Sequence, residues 1–161
     1  MKKILFVCHG NICRSPMAEF VMKHLVREAG LADNILVESK ALHRDEIGSD
    51  THRGTREVLR AHNIPFERRR ATLMTAADYS AFDIIIGMDT ENMHDLDRLT
   101  GGDPAGKIRR LLSYIGEERD VADPWYTGNF EVTYRDVDAG CRGLLTGIAK
   151  DTQFQKTAIF L

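Results

Sequence analysis

Between Val7 and Pro16 the chain reads VCHGNICRSP. A thiol at Cys8 and a guanidinium at Arg14 bracket five residues that include a glycine and an asparagine. Gly10 permits close backbone approach or positive φ, and Asn11 tolerates the left-handed region better than most residues. A short loop of this kind can curl its amides inward as it enters a helix, whose N-terminus adds unpaired N–H groups and partial positive charge. The product is an anion nest sized for phosphate, with backbone donors running from His9, Gly10, Asn11, Ile12 and Cys13 to Arg14 and Ser15. Arg14 closes it with a planar fork able to hold two phosphate oxygens. A free cysteine ionises at about 8.5, and the same field favours the thiolate. The segment is therefore expected to bind phosphate and prepare a nucleophile together. It is not a Walker loop, for no Gly-Lys-Ser/Thr occurs in it. Taken alone, Cys8 also reads as a small apolar residue ending a buried strand.

These residues need a strand before them and a helix after them. Ile4 to Val7 is a continuous apolar run, as in a strand buried on both faces. Met17, Ala18, Val21, Met22, Leu25, Val26 and Ala29 follow helical spacing, and Gly30 suits the helix end. Ser15 is a candidate N-cap, with Pro16 at the first helical position. Further strands are expected over Ile35–Glu38, Ile84–Met88 and Ile108–Leu112. Helices are expected over Thr51–Ala61, after Asp89, and along Phe130–Ile148. Gly140, Gly143 and Gly147 weaken the last helix, which suggests that it lies close on the sheet. This alternation predicts one α/β domain over residues 1–161, with a four-stranded, twisted parallel sheet, right-handed crossovers and helices on both faces. Ligands of such doubly wound folds bind beyond the carboxyl ends of the strands, where the opening loop falls.

CHGNICRSP resembles the catalytic loop of the low-molecular-weight protein tyrosine phosphatases. MDTEN at Met88–Asn92 and DPWY at Asp123–Tyr126 match further segments of that family in the same order. The resemblance implies a flavodoxin-like fold and a cysteine-dependent phosphoric monoester hydrolase without cofactor. Cys8 would attack phosphorus, giving a phosphocysteine. Arg14 and the loop amides would hold the phosphoryl group. Asp123 would protonate the departing oxygen and then activate water. In isolation Asp123-Pro124 reads as a turn, and the two aromatics after it, in a family-matching position, shift the reading to acid. Trp125 and Tyr126 would wall an aryl pocket with Ile12, although an aromatic pair alone reads as core. Asn11 would lock the loop, with Ser39 as partner. Ser15 would assist the Cys8 thiolate, and Asp89 would either support the site or cap its helix. Cys13 would form a reversible protective disulfide with Cys8. Cys141 reads as core.

Departures from the family concern substrate choice. Asp45, in SKALHRDEIG, occupies a position where the family carries an aromatic, and an acidic rim favours basic partners. Arg69 or Arg70 in ERRRAT falls near a histidine that buttresses the loop elsewhere, and the run itself reads as a solvated basic face. A thioredoxin-coupled arsenate reductase would need two more cysteines between Cys13 and Cys141, where there are none. A protein arginine phosphatase of the same family favours threonine where Ile12 stands. A non-catalytic phosphate-binding module would have no use for Cys8, Arg14 and Asp123 together.

The net charge of −2 argues against a nucleic-acid partner. Three cysteines, an odd count, argue for reduced thiols. No run approaches the roughly 20 apolar residues of a membrane span. The six histidines show no local metal-ligand spacing, so no metal is expected. The expected setting is the cytoplasm, the expected form a monomer or weak homodimer, and the expected partner a phosphotyrosine protein or a small aryl phosphate.

Overall fold

Ile4, Leu5, Phe6 and Val7 are wholly buried at the centre of strand β1 (Lys2–Cys8). Their side chains alternate between two cores, as the strand period of two requires. Ile4, Phe6 and Cys8 pack with the apolar faces of α1 (Arg14–Glu28) and the long C-terminal helix α6 (Phe130–Ala149). Leu5 and Val7 pack on the opposite face with Met74, Phe82, Ile85 and Leu96. Each such side chain contributes about 1.5–3 kcal/mol by leaving water. The computed structural model describes residues 1–151 of the chain. The last ten residues of the single domain expected over 1–161 lie outside that range.

Between α1 and α6 the chain forms β2 (Ile35–Ala41), α2 (Arg53–Ala61), α3 (Ala76–Ala81), β3 (Ile84–Gly87), α4 (Thr90–Thr100), β4 (Ile108–Arg110) and the short α5 (Pro124–Thr127). The sheet order is β2-β1-β3-β4 and every pairing is parallel, in agreement with the expected class. Because β1 has its partners on both sides, the connections out of it diverge, and a crevice opens at its carboxyl end. Among the described residues, no helix is long and apolar enough to cross a membrane.

Several expectations are corrected locally. Helix α1 begins at Arg14, its N-cap is Cys13, and no side chain caps it. Ser15 is not the cap, since its polar groups turn to Cys8. Pro16 is therefore the third helical residue, where a missing N–H still costs nothing. Gly10 is not among the positive-φ residues, whereas Asn11 has φ 60°. The fourth strand stops at Arg110, and Leu111–Ile115 winds into a 3-10 turn closed by Gly116 at φ 75°. Helix α3 was not anticipated, although Thr75 and Asp78 supply a capping box for it.

The glycines of α6 serve this 3-10 turn rather than the sheet. A Cβ on Gly140 would lie 2.5 Å from Leu111 Cγ, and one on Gly143 would lie 2.6 Å from the Tyr114 carbonyl oxygen. Gly147 has nothing within 4 Å. Gly143→Ala is expected to lower unfolding free energy by about 1–3 kcal/mol, because backbone cannot yield as a side chain can. Gly147→Ala is expected to raise it by up to about 1 kcal/mol. Urea unfolding of the two variants beside the parent checks both signs.

Candidate active site

The loop between β1 and α1 owes its shape to where its carbonyls go. The Cys8 and His9 carbonyls accept from Leu42 N (3.0 Å) and His43 N (2.9 Å), prolonging the β1–β2 ladder beyond the strand. The Asn11 carbonyl accepts from Arg69 Nη1 at 2.9 Å, and that of Ile12 from His52 N at 2.7 Å. The Cys13 carbonyl accepts from Thr55 Oγ1 at 3.1 Å. With these oxygens turned outward and bonded, the loop presents its amides to the crevice.

Asn11 organises the interior. Its Oδ1 accepts from Arg69 Nη2 and from Thr72 N (3.3 Å), which fixes the amide's orientation. Its Nδ2 then donates to Ser15 Oγ at 2.8 Å and to Ser39 Oγ at 3.0 Å. Ser39 donates onward to Glu19 Oε1 at 2.6 Å. Since Ser15 Oγ accepts from Asn11, its own hydrogen is free to point at Cys8 Sγ, 3.0 Å away. The Ser15 amide also donates to that sulfur, at 3.4 Å. Cys13 differs sharply. Burial, reinforced by the nearby Cys8 and Asp123 charges, pushes its thiol up to about 12, so it stays protonated at neutral pH. Cys141 is wholly buried in the core, as expected.

Arg14 is only 2% exposed. Its Nη1 donates to Asp89 Oδ2 at 2.7 Å and to the Val121 carbonyl at 3.0 Å, while Nη2 reaches Asp123 Oδ2 at 3.4 Å. Burial works against its charge, but Cys8, Asp89 and Asp123 more than offset this and raise its pKa. Each aspartate uses its other oxygen locally. Asp89 Oδ1 caps α4 by accepting from Asn92 N at 2.8 Å, and Asp123 Oδ1 caps α5 by accepting from Trp125 N at 3.0 Å. Capping and contact with the site are thus the same residue's two halves. Asn92 Oδ1 answers by accepting from Met88 N at 3.0 Å, which accounts for the tight spacing of MDTEN.

A cleft of about 430 Å³ opens above Cys8. Ile12, Cys13 and Arg14 line its base, and Asp45, Trp125 and Tyr126 stand at its sides. Trp125 and Tyr126 are 58% and 85% exposed, so they are walls and not core. Asn11, Ser15 and Ser39 lie behind the lining. Glu46 and Glu91, which the sequence reading did not single out, join Asp45 in an acidic rim. Asp45 is bonded to His9 Nε2 at 2.6 Å, and this bond draws its carboxyl below the usual range. The solvated-face expectation for ERRRAT fails at one residue. Arg68 and Arg70 are exposed, but Arg69 turns inward to Asn11 and burial lowers its pKa.

Residues 3–154 match the family model for low molecular weight phosphotyrosine protein phosphatase. The low molecular weight protein-tyrosine-phosphatase YfkJ of Bacillus subtilis is 41% identical over 155 residues, covering 95% of this chain and 99% of that one. The YfkJ crystal structure superposes with a TM-score of 0.91, over 94% of this chain and 97% of the other. The low molecular weight protein tyrosine phosphatase SP-PTP of Streptococcus pyogenes gives 0.85 at 38% identity, covering 96% and 98%. A Drosophila arginine phosphatase, DARP, also gives 0.85, at 30% identity and covering 94% and 99%. The chain belongs to the low molecular weight phosphotyrosine protein phosphatase family, a family of cysteine-dependent phosphoric monoester hydrolases.

Arg69→Met keeps apolar bulk but strips Asn11 of its cationic partner. Leaving part-buried acceptors unmet is expected to cost about 1–3 kcal/mol. Thermal unfolding measures that loss. Phosphatase assays should show kcat/KM falling with it, as the loop loses its fixed curl.

Proposed function

We propose that the chain hydrolyses aryl phosphate monoesters, phosphotyrosine in proteins above all, through a covalent phosphocysteine. The observation that carries this reading is the placing of Ser15 Oγ and the Ser15 amide 3.0 and 3.4 Å from Cys8 Sγ, at the foot of a cleft flanked by Arg14 and Asp123. Both groups are placed to donate to that sulfur as it attacks and again as it departs. In the first step the thiolate forms a bond to phosphorus while the bond to the phenolic oxygen breaks. Asp123 gives its proton to that oxygen, so a neutral phenol departs. Arg14 and the inward amides hold the three equatorial oxygens as their charge develops. In the second step water attacks phosphorus, Asp123 takes its proton, and the sulfur leaves as thiolate. Phosphate and the starting enzyme result.

Ile12, Trp125 and Tyr126 offer an aryl ring flat apolar surface. Cys8→Ser is expected to abolish turnover while still binding inorganic phosphate in calorimetry. Asp123→Ala is expected to slow a substrate with a poor, alkaline-pKa phenol by about 10²–10⁴ and one with an acidic phenol far less. Equal slowing across that series would remove Asp123 from the acid role.

A second reading, protein arginine phosphatase, rests on the acidic rim of Asp45, Glu46 and Glu91 and on the likeness to DARP. Those carboxylates favour a cationic guanidinium or basic flanking residues. Comparing kcat/KM for phosphotyrosine peptides with basic and acidic flanks, and for phosphoarginine peptides, separates the two. Phosphotyrosine with basic flanks is expected to lead. A clear lead for phosphoarginine would reverse the order of the readings.

A further inference from the structure

Trp125 is the chain's single tryptophan, and it stands largely exposed on the four-residue helix α5. A wall so exposed needs support from a neighbouring element. The His52 ring supplies it, meeting the indole edge to face with centroids 5.9 Å apart and planes at 80°. That ring is itself fixed twice. Its Nδ1 accepts from Gly54 N at 2.9 Å, capping α2, and its face stacks on Phe130 with centroids 5.0 Å apart and planes at 19°. Phe130 opens α6 and packs against Ile12, Cys13 and Ala71. Gly54 makes room for this stack, since a Cβ there would lie 2.4 Å from the Phe130 ring.

The main chain of the same residue reaches the base of the cleft. His52 N donates to the Ile12 carbonyl at 2.7 Å, and Ile12 lines the cleft. One residue thus holds the phosphate loop through its backbone and the aromatic wall through its ring. A helix cap alone would be served better by serine, asparagine or aspartate. Each of those lacks the flat ring that stacks on Phe130 and meets Trp125.

We propose that His52 is a positioning residue for aryl substrates: its ring holds the Trp125 indole where it flanks an aryl group bound over Ile12. The proposal rests on the phosphatase reading and adds to it the group that fixes the wall. The phosphate loop needs only the backbone of His52, which a side-chain substitution leaves in place. Aryl binding and phosphate binding therefore come apart at this residue.

Two substitutions divide the ring from the cap. His52→Asn keeps a capping acceptor and loses the ring, whereas His52→Phe keeps a ring and loses the acceptor. In His52→Asn, acrylamide is expected to quench the Trp125 fluorescence more strongly than in the parent. KM for phenyl phosphate is expected to rise about two- to tenfold with kcat near the parent's, the ratio to which one aromatic pair corresponds. Inhibition by inorganic phosphate is expected to stay at the parent's level. His52→Phe is expected to restore quenching and KM in spite of a lower melting temperature. Thermal melts identify a variant that has not folded, and the other variant then decides. Parent-like quenching and KM in folded His52→Asn would overturn the proposal. So would phosphate inhibition that weakens in step with KM, or a folded His52→Phe that behaves as His52→Asn. A parent that leaves phenyl phosphate intact would instead overturn the phosphatase reading, and the aryl role of His52 with it.

Discussion

One carboxamide holds the site in its working shape. Asn11 adopts a left-handed backbone conformation, φ 60°, inside a loop that must reverse direction within a few residues. Its side-chain oxygen is claimed by Arg69 and the Thr72 amide, so its nitrogen must face Ser15 and Ser39. That polarity passes through the Ser15 hydroxyl to the Cys8 sulfur. Rotating the amide would leave two acceptors facing one another and an arginine facing an amino group. The buried setting makes such a mismatch expensive, and it therefore makes the orientation unique.

The same economy ties the cleft walls to the loop. Asp89 and Asp123 each divide their two oxygens between a helix N-terminus and Arg14. The position of the guanidinium is thus set by the starts of α4 and α5, and those starts are set by the guanidinium. Trp125 and Tyr126 follow Asp123 directly, so the aromatic walls inherit this placement. A chain segment more than a hundred residues from Cys8 is brought into register by one buried cation.

What could be read in advance was what is local. The buried strand β1, the amphipathic α1 and α6 and the loop between Cys8 and Arg14 each carry their signal within a few neighbouring residues. Parallel order followed from alternation alone. What could not be read depends on contacts between distant segments. Nothing in three consecutive arginines says which one turns inward. Arg69 does so because Asp50 accepts its amide and Asn11 receives its side chain. Ser15 looked like a cap because serine before proline usually is one, but the sulfur and Asn11 outbid the helix end. His52 carries no motif, and it meets Trp125 and Phe130 only where α2 packs beside the starts of α5 and α6.

In the proposed reaction, phosphate passes to the sulfur of residue 8 while the curled loop holds it. Rapid quench of the parent enzyme into mildly alkaline denaturant during turnover of an aryl phosphate, followed by peptide mass spectrometry under conditions that spare P–S and P–N bonds, is the direct test. The account requires a phosphoryl group on the peptide's Cys8 sulfur, absent without substrate. A phosphoryl group on His9 instead, or a bare peptide at every quench time while phenol is still being released in a burst, would contradict it.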